Sequence, residues 1–298
     1  MALRVTQGMM HTQLMRNLNR NLSRMENIQQ QMTTGMKLNK PSDDPVGITY
    51  SLRYRNELSA NEQYQKNVDT AKSWLDFSDD MLKQTEAVMH RIKELAVKAS
   101  SETNPQEALD AINKEVKELR AQMLDIGNSK LNGKYVFNGQ VTDKAPFSEE
   151  NAANDSTDNR LIVLSLGAGI QAPVNLSGND IFGEPGAEDN AFRLMDELIL
   201  SLENADFDEI GASLDKIDSR LDQILSVHAE IGARSNRVDL VESRLDDLEI
   251  NLESMQSKVE AADYAELIIQ AKISESIYQA SLAVGAKVIT PTLVDFLR

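Results

Sequence analysis

The chain has 298 residues, enough for one large domain or two to three small domains, each with a real core. Hydrophobic residues make up 41% of it but aromatic residues only 5%, which favours helices packed on helices. The formal net charge of -16 argues against nucleic acid or an anionic membrane as a partner, because both need a basic surface.

The first 40 residues form a basic segment that predicts an amphipathic helix. Their Arg and Lys residues outnumber Glu26, their one acidic residue, six to one. No continuous apolar segment with a small-residue cleavage site follows the start, so we expect no cleaved secretory signal. An apolar stripe runs through the Asn, Gln, Arg and Ser residues of this helix, so the helix needs a partner. The stripe consists of Leu14, Leu18, Leu22, Met25 and Met32.

Long stretches without glycine predict long helices further along the chain, because helix interiors exclude Gly and Pro. Asp44 and Pro45 offer an N-cap and a first-turn proline, so a helix should begin there and run to about Glu102. Such a helix would span about 85 Å, and rods of that length usually pair with others. Asn104 and the proline after it repeat the signal and predict a second helix that ends near Gly127.

The middle of the chain changes character. Between Gly139 and Gly186 it concentrates Gly and Pro, and the run over residues 161–166 is typical of a β-strand. Residues 140–187 are therefore expected to form a small β-rich insert.

A second long helix is predicted after the insert, with a coiled-coil seam along one side. Apolar residues alternate at spacings of three and four over about three and a half heptads. We expect this seam to pack, as an intramolecular core, on the helix that contains Leu75, Leu82, Met89 and Ile92. The seam consists of Val238, Val241, Leu245, Leu248, Leu252, Met255, Val259 and Ala262.

The last 32 residues are almost uncharged overall and carry another apolar helix face. Like the stripe near the start of the chain, it needs a partner, and we predict that both stripes belong to an assembly interface. The residues assigned to it here are Ile269, Ile273, Ile277, Ala280, Leu282, Val284 and Val288.

Residues that could support catalysis or metal binding are not grouped in the sequence. His11, His90 and His228 lie far apart, and none belongs to a metal-binding pair. The absence of cysteine excludes disulfides, thiolate nucleophiles and Cys-ligated metals. Carboxylates follow helix faces without an isolated pair, and no Gly-x-Ser-x-Gly motif occurs. We expect no enzyme activity, cofactor or metal.

Four segments resemble the bacterial flagellin family. Residues 32–47 are similar to its amino-terminal signature, and residues 91–97 to one of its helical stretches. Residues 262–266 and 291–298 are similar to its carboxyl-terminal pattern. Together these segments bracket nearly the whole chain.

Within that family, the sequence resembles subunits of the hook–filament junction more than filament subunits. Residues 4–10 are similar to the start of a junction subunit, and Pro45 stands where flagellins commonly have Ala. Residues 133–139 and 145–147 resemble its strand and turn.

The resemblance implies a mainly α fold, a long antiparallel helical coiled-coil rod with the β-rich insert mid-chain. Terminal assembly helices would occupy residues 1–42 and 265–298, the rod domain residues 43–139 and 188–264, and the outer insert residues 140–187.

The implied function is that of a structural subunit at the junction between hook and filament. It would be exported by the flagellar type III route, lie in the extracellular flagellum and template flagellin polymerisation. The implied partners are neighbouring copies in a ring, the other junction protein, flagellin and an export chaperone, with no nucleic acid and no membrane insertion. Two alternatives stay open: a short filament flagellin, and a signalling or tethering coiled-coil rod.

Overall fold

Helices dominate the computed structural model, which describes residues 7–101 and 104–288, and side chains from 8 to 286 within them. Four short strands form two antiparallel pairs, β1 with β2 and β3 with β4. The predicted mainly α fold with a small β-containing segment mid-chain is confirmed. In chain order the elements are α1 (Gln7–Thr34), α2 (Pro45–Ala99), α3 (Gln106–Gly127), β1 (Lys130–Leu131), β2 (Lys134–Tyr135), β3 (Val163–Gly167), β4 (Ile170–Pro173), α4 (Gly178–Phe182), α5 (Ala191–Asn204), α6 (Phe207–Glu260) and α7 (Tyr264–Val288).

The predicted start of α2 is confirmed, whereas the predicted cap of α3 is wrong. The Asp44 carboxylate accepts a hydrogen bond from the Val46 backbone amide at 3.0 Å, as an N-cap does. Asn104 makes no such bond at the start of α3, where Pro105 is the capping residue. Its side chain instead donates to the Lys98 carbonyl at 2.6 Å. The Asn104 amide binds the end of α2 because the last carbonyls of a helix lack partners within that helix.

The chain divides into two compact units. The terminal unit comprises Met1–Ala60 and Leu248–Arg298, and the central unit comprises Asn61–Asp247. Helices α2 and α6 contribute to both units.

In the central unit, α2 and α6 run antiparallel. Asn61 Nδ2 donates to the Leu245 carbonyl at 3.0 Å, and at the other end Lys93 Nζ lies 2.5 Å from Asp218 Oδ1. Between these points Lys72 Nζ pairs with Glu242 Oε2 at 2.8 Å.

This register corrects the expected partner of the seam. Leu75, Leu82, Met89 and Ile92 lie between Lys72 and Lys93, so they run alongside α6 residues 218–242. Most of the seam lies further along α6. Spacing within one helix identifies a packing face but does not fix its register against another helix.

The β-containing segment is anchored by an aromatic cluster. Phe182 lies 5.2 Å from Phe147 and 5.4 Å from Phe192, measured between ring centroids, and all three are buried. Gly127 ends α3 where an added Cβ would come within 2.8 Å of Phe147, so the chain passes close to this cluster. The expected strand begins at Val163, two residues later than the apolar run.

In the terminal unit, α1 and α7 form an antiparallel hairpin. The Tyr264 hydroxyl donates to the Met32 carbonyl at 2.8 Å, and Asn21 Nδ2 donates to Ser281 Oγ at 3.4 Å. Further along, a Cβ added at Gly285 would lie 2.8 Å from Leu14. We call this pair of helices the terminal hairpin.

Candidate assembly surface

The terminal hairpin is closed by a seam whose two sides differ in side-chain size. The α1 side carries mainly long side chains, whereas the α7 side carries mostly small or polar ones, so the helices approach closely at Gly285. Both sides follow the spacing of four and three that is typical of paired helices. The α1 side consists of Leu14, Leu18, Asn21, Met25, Ile28 and Met32, and the α7 side of Leu267, Ala271, Ser274, Tyr278, Ser281 and Gly285, all buried or half-buried.

The predicted α1 stripe largely occupies this seam. Leu14, Leu18, Met25 and Met32 are half-buried, while Leu22 is 42% exposed. Ile28, which sequence reasoning missed, is buried on the same side and is signalled by the seam spacing.

The predicted α7 stripe lies outside the seam. Ile269, Ile273 and Val284 are 60%, 54% and 56% exposed. Ile277 and Ala280 are exposed as well. Val288 ends α7, but its side chain is outside the described residues. The large residues of this stripe therefore have no cover within the described part of the terminal hairpin.

Leu282 was assigned to the same interface, but helical geometry separates it from the stripe. It is also exposed. It follows Ile273 by nine residues, and at about 100° per residue this places it on the opposite side of the helix. The assigned residues of α7 thus lie on two different sides of that helix.

A groove opens on the side of the hairpin that carries Leu282. Its volume is about 570 Å³, and Met25 and Met32 line it from α1. Ile268, Ala271 and Tyr278 line it from α7. The groove is a concave, mainly apolar surface that Lys272 and Glu275 also line, and it is distinct from the exposed isoleucine stripe.

Three arginines form a basic row on α1. Arg16, Arg20 and Arg24 are spaced four apart and exposed, and none is ion-paired with another described residue. Such a row of unpaired basic side chains contrasts with the net charge of -16 of the whole chain. The row is available to an acidic partner.

Burial along α6 departs from the predicted coiled-coil seam. Val238, Val241, Leu245 and Leu252 are buried and Val259 is half-buried, whereas Ala262, also half-buried, lies beyond the end of α6. The other two seam residues, Leu248 and Met255, are exposed. A helix of 3.6 residues per turn drifts by about 20° per heptad against a strict seven-residue repeat, so the buried face moves off these positions.

A polar cluster around Glu260, the last residue of α6, joins α6 to the start of α2 and to the segment that follows α1. The buried Glu260 carboxylate accepts hydrogen bonds from Arg55 Nε and Nη2 at 2.9 Å each, and another from the Ser51 hydroxyl. Burial opposes the charge of Glu260, but the bonds from Arg55, Ser51 and Gln256 outweigh it and lower the pKa of this carboxyl. The Lys37 amide also donates to the Glu260 carbonyl at 2.7 Å.

His228 lies between two carboxylates, which the sequence did not reveal. Its Nε2 lies 2.8 Å from Asp79 Oδ1 and its Nδ1 2.6 Å from Glu86 Oε1, so two α2 carboxylates flank it. Burial opposes the charged ring, but the bonds to Glu86 and Asp79 outweigh it and raise the pKa of His228. Both partners lie more than 140 residues away, beyond the reach of a local motif.

The described residues contain no group of three or more His, Asp or Glu side chains that could hold a metal ion. Within 7–101 and 104–288, no helix is long and apolar enough to cross a membrane.

A helical chain whose helices α1 and α7 pair and expose apolar surface is the kind of protein that assembles with other molecules. The model of the bacterial flagellin N-terminal helical region matches residues 5–142, and that of the flagellin C-terminal helical region matches residues 214–297. Together they match well over half of the chain, which therefore belongs to the bacterial flagellin family.

Relatives within the family include hook-associated proteins and flagellins. The chain is 26% identical to flagellar hook-associated protein 3 of Escherichia coli, over 94% of this chain and 95% of that protein. It is 25% identical to a flagellin of Bacillus subtilis, over 91% of each chain. A solved structure described as a flagellar hook-associated protein from Vibrio parahaemolyticus shares the fold, with a TM-score of 0.69 and 23% identity over 74% of this chain and all of that one.

Proposed function

We propose that this protein is a structural subunit of the bacterial flagellum that forms the junction between hook and filament. The observation that carries the proposal is the exposed isoleucine stripe of α7, which lies outside the seam that joins α7 to α1. An apolar face of this kind marks an interaction site. Similarity to hook-associated protein 3 over almost the full length supports the junction as the place of assembly.

In this proposal the subunits leave the cell by the flagellar type III route and assemble at the distal end of the hook, outside the cell. Neighbouring copies cover the exposed stripe, and the outer end of the ring offers flagellin a template. The other junction protein and an export chaperone are the further partners. The absence of cysteine supports export in an unfolded state, because no disulfide can lock the fold.

Deletion of the gene tests the proposal in the cell. We expect cells without the protein to carry hooks without filaments, and to release flagellin into the medium. The wild-type gene should restore filaments, and a variant with Ile273→Asp on the exposed stripe should not. Filaments of normal length after deletion would overturn the proposal.

Immunogold labelling separates the junction from the alternatives. A junction subunit predicts one short labelled band where hook meets filament. Label along the whole filament would instead support a filament flagellin, which the similarity to the Bacillus subtilis protein favours. Label absent from flagella would support a signalling or tethering rod.

A further inference from the structure

The terminal hairpin carries two apolar surfaces that differ in shape and lie on opposite faces. We call the exposed stripe of Ile269, Ile273, Ile277 and Val284 the ridge, and the concave surface described above the groove. At about 100° per residue, Ile273 and Ile277 lie to one side of the seam residue Ser274, while the groove residue Ile268 lies to the other. The hairpin therefore carries an exposed apolar stripe on one side and a groove on the other.

The two faces also differ in charge. On α1, Arg20 and Arg24 lie on the ridge side of the seam, while Glu26 lies on the groove side. On α7, Glu275 and Lys272 both line the groove. Glu26 forms no ion pair with a described residue, and Glu275 pairs with the exposed Lys272. On α1, unpaired basic side chains thus border the ridge, whereas the unpaired Glu26 borders the groove.

We propose that the ridge of one copy inserts into the groove of a second copy, with Arg20 and Arg24 of the first facing Glu26 and Glu275 of the second. This inference rests on the proposed function for its place in the cell. The contact joins two different surfaces, so each bound copy leaves a free ridge or groove and the association continues. A two-fold contact of ridge on ridge would instead bring the arginine rows of both copies together, and like charges repel.

Single cysteines test the contact directly, because the natural chain has none. One variant carries Ile277→Cys on the ridge, and another carries Gln29→Cys at the groove. The purified full chains are concentrated and treated with a short bismaleimide. We expect dimers only when the two variants are mixed, and a ladder of multimers from the double variant. Leu225→Cys, exposed in the central unit, is the matched control.

Two results would overturn the inference. Dimers from Ile277→Cys alone would show a ridge-on-ridge contact, and monomers at every concentration in the mixture would show that ridge and groove do not meet. The two cysteines of the double variant should not crosslink within one chain, because positions 29 and 277 lie on opposite faces of the hairpin and at different positions along its axis.

Charge reversal tests the orientation. Arg20→Glu with Arg24→Glu on the ridge chain should lower mixed crosslinking several-fold. Glu26→Lys with Glu275→Lys on the groove chain should restore it, whereas the lysine changes combined with native arginines should not crosslink well. Crosslinking that ignores all of these changes would contradict the proposed charge pairing.

The crosslinking and the gene deletion test the contact and the function separately. If deletion leaves filaments intact but the mixed crosslinks form, the junction function is wrong and the ridge-and-groove contact stands. If deletion removes filaments but no mixed crosslink forms, the function stands and the contact is wrong.

Discussion

The central and terminal units bury their apolar residues to very different extents. Among the described residues, 39 of the 43 buried hydrophobic side chains belong to the central unit. The terminal unit, although smaller, holds 18 of the 24 large hydrophobic side chains that are exposed. The first unit covers its own core, and the second keeps apolar surface for contact with other molecules.

The composition of the two units explains this difference. The central unit packs several helices and an aromatic cluster around one core, so each apolar face finds another face of the same chain. The terminal unit pairs α1 with α7 through small side chains, so the isoleucines of α7 point away from the partner helix. Covering roughly half of one isoleucine side chain contributes about 1 kcal/mol, so a row of them provides a substantial driving force for assembly.

Truncating the core of the central unit should produce the largest change in stability. Phe182 is fully buried against Phe147 and Phe192, so Phe182→Ala leaves a cavity and should cost about 3–5 kcal/mol of unfolding free energy. Chemical denaturation of the full chain measures this. Ile273→Ala, on the exposed ridge, is the control and should change it by less than about 0.5 kcal/mol. Equal losses for both variants would contradict the contrast between the units.

The polar cluster of the terminal unit should have an intermediate effect. Glu260→Ala removes the acceptor for Arg55 and for the buried Ser51 hydroxyl, and should cost about 1–3 kcal/mol. Hydrogen exchange at the Lys37 amide, which donates to the Glu260 carbonyl, should speed up. Glu253→Ala, on the same helix and without an ion pair to a described residue, is the matched control.

The same cluster makes a prediction about acid. The folded pKa of Glu260 is lowered, so its contribution is present above the unfolded pKa and is lost as the pH falls through the folded value. The protection factor of the Lys37 amide, which corrects for the slower intrinsic exchange in acid, should therefore fall as the pH is lowered, and this fall should be smaller in Glu260→Ala. An identical acid response in both proteins would contradict the assignment.

Local signals in the sequence predicted the elements well. The Asp44 cap, the Gly127 stop and the β-type run near Val163 are each decided by neighbours in the chain, and the structure shows an element boundary at or near each. Asn104 could not be placed this way, because two helix ends compete for its side chain.

The candidate site could be predicted only in part, because apolar spacing finds a face but not what covers it. On α7 the largest side chains suggest a partner helix, yet Ser274, Ser281 and Gly285 occupy that position. The repeat of small residues was the available signal. The neighbours of His228 and the groove depend on residues far apart in sequence, so no local pattern could reveal them.

His228 offers a small, pH-dependent test confined to the central unit. Its folded pKa is raised, so its contribution is fully present below the unfolded pKa of about 6.5 and is lost as the pH rises through the folded value. Asp79 and Glu86 face the ring, and Lys83 pairs with Asp79. His228→Gln should lower the unfolding free energy in mild acid by at most about 1 kcal/mol, and much less at alkaline pH. Denaturation curves at several pH values measure this, with the exposed His90→Gln as control. An unfolding free energy that falls more at alkaline pH than in mild acid would contradict the prediction.

The smallest effect on stability should accompany the largest effect on assembly. Leu282→Asp and Ile273→Asp each replace an exposed side chain of the terminal hairpin, so the unfolding free energy of the monomer should change by less than about 0.5 kcal/mol. Both should block filament growth, because a carboxylate would be buried without a partner on either face of an assembling hairpin. Leu225→Asp, equally exposed in the central unit, should leave both monomer stability and growth unchanged. A large loss of monomer stability from either hairpin variant would show that its side chain already packs within one copy, and the contrast between a self-sufficient central unit and a terminal unit that awaits its neighbours would fail.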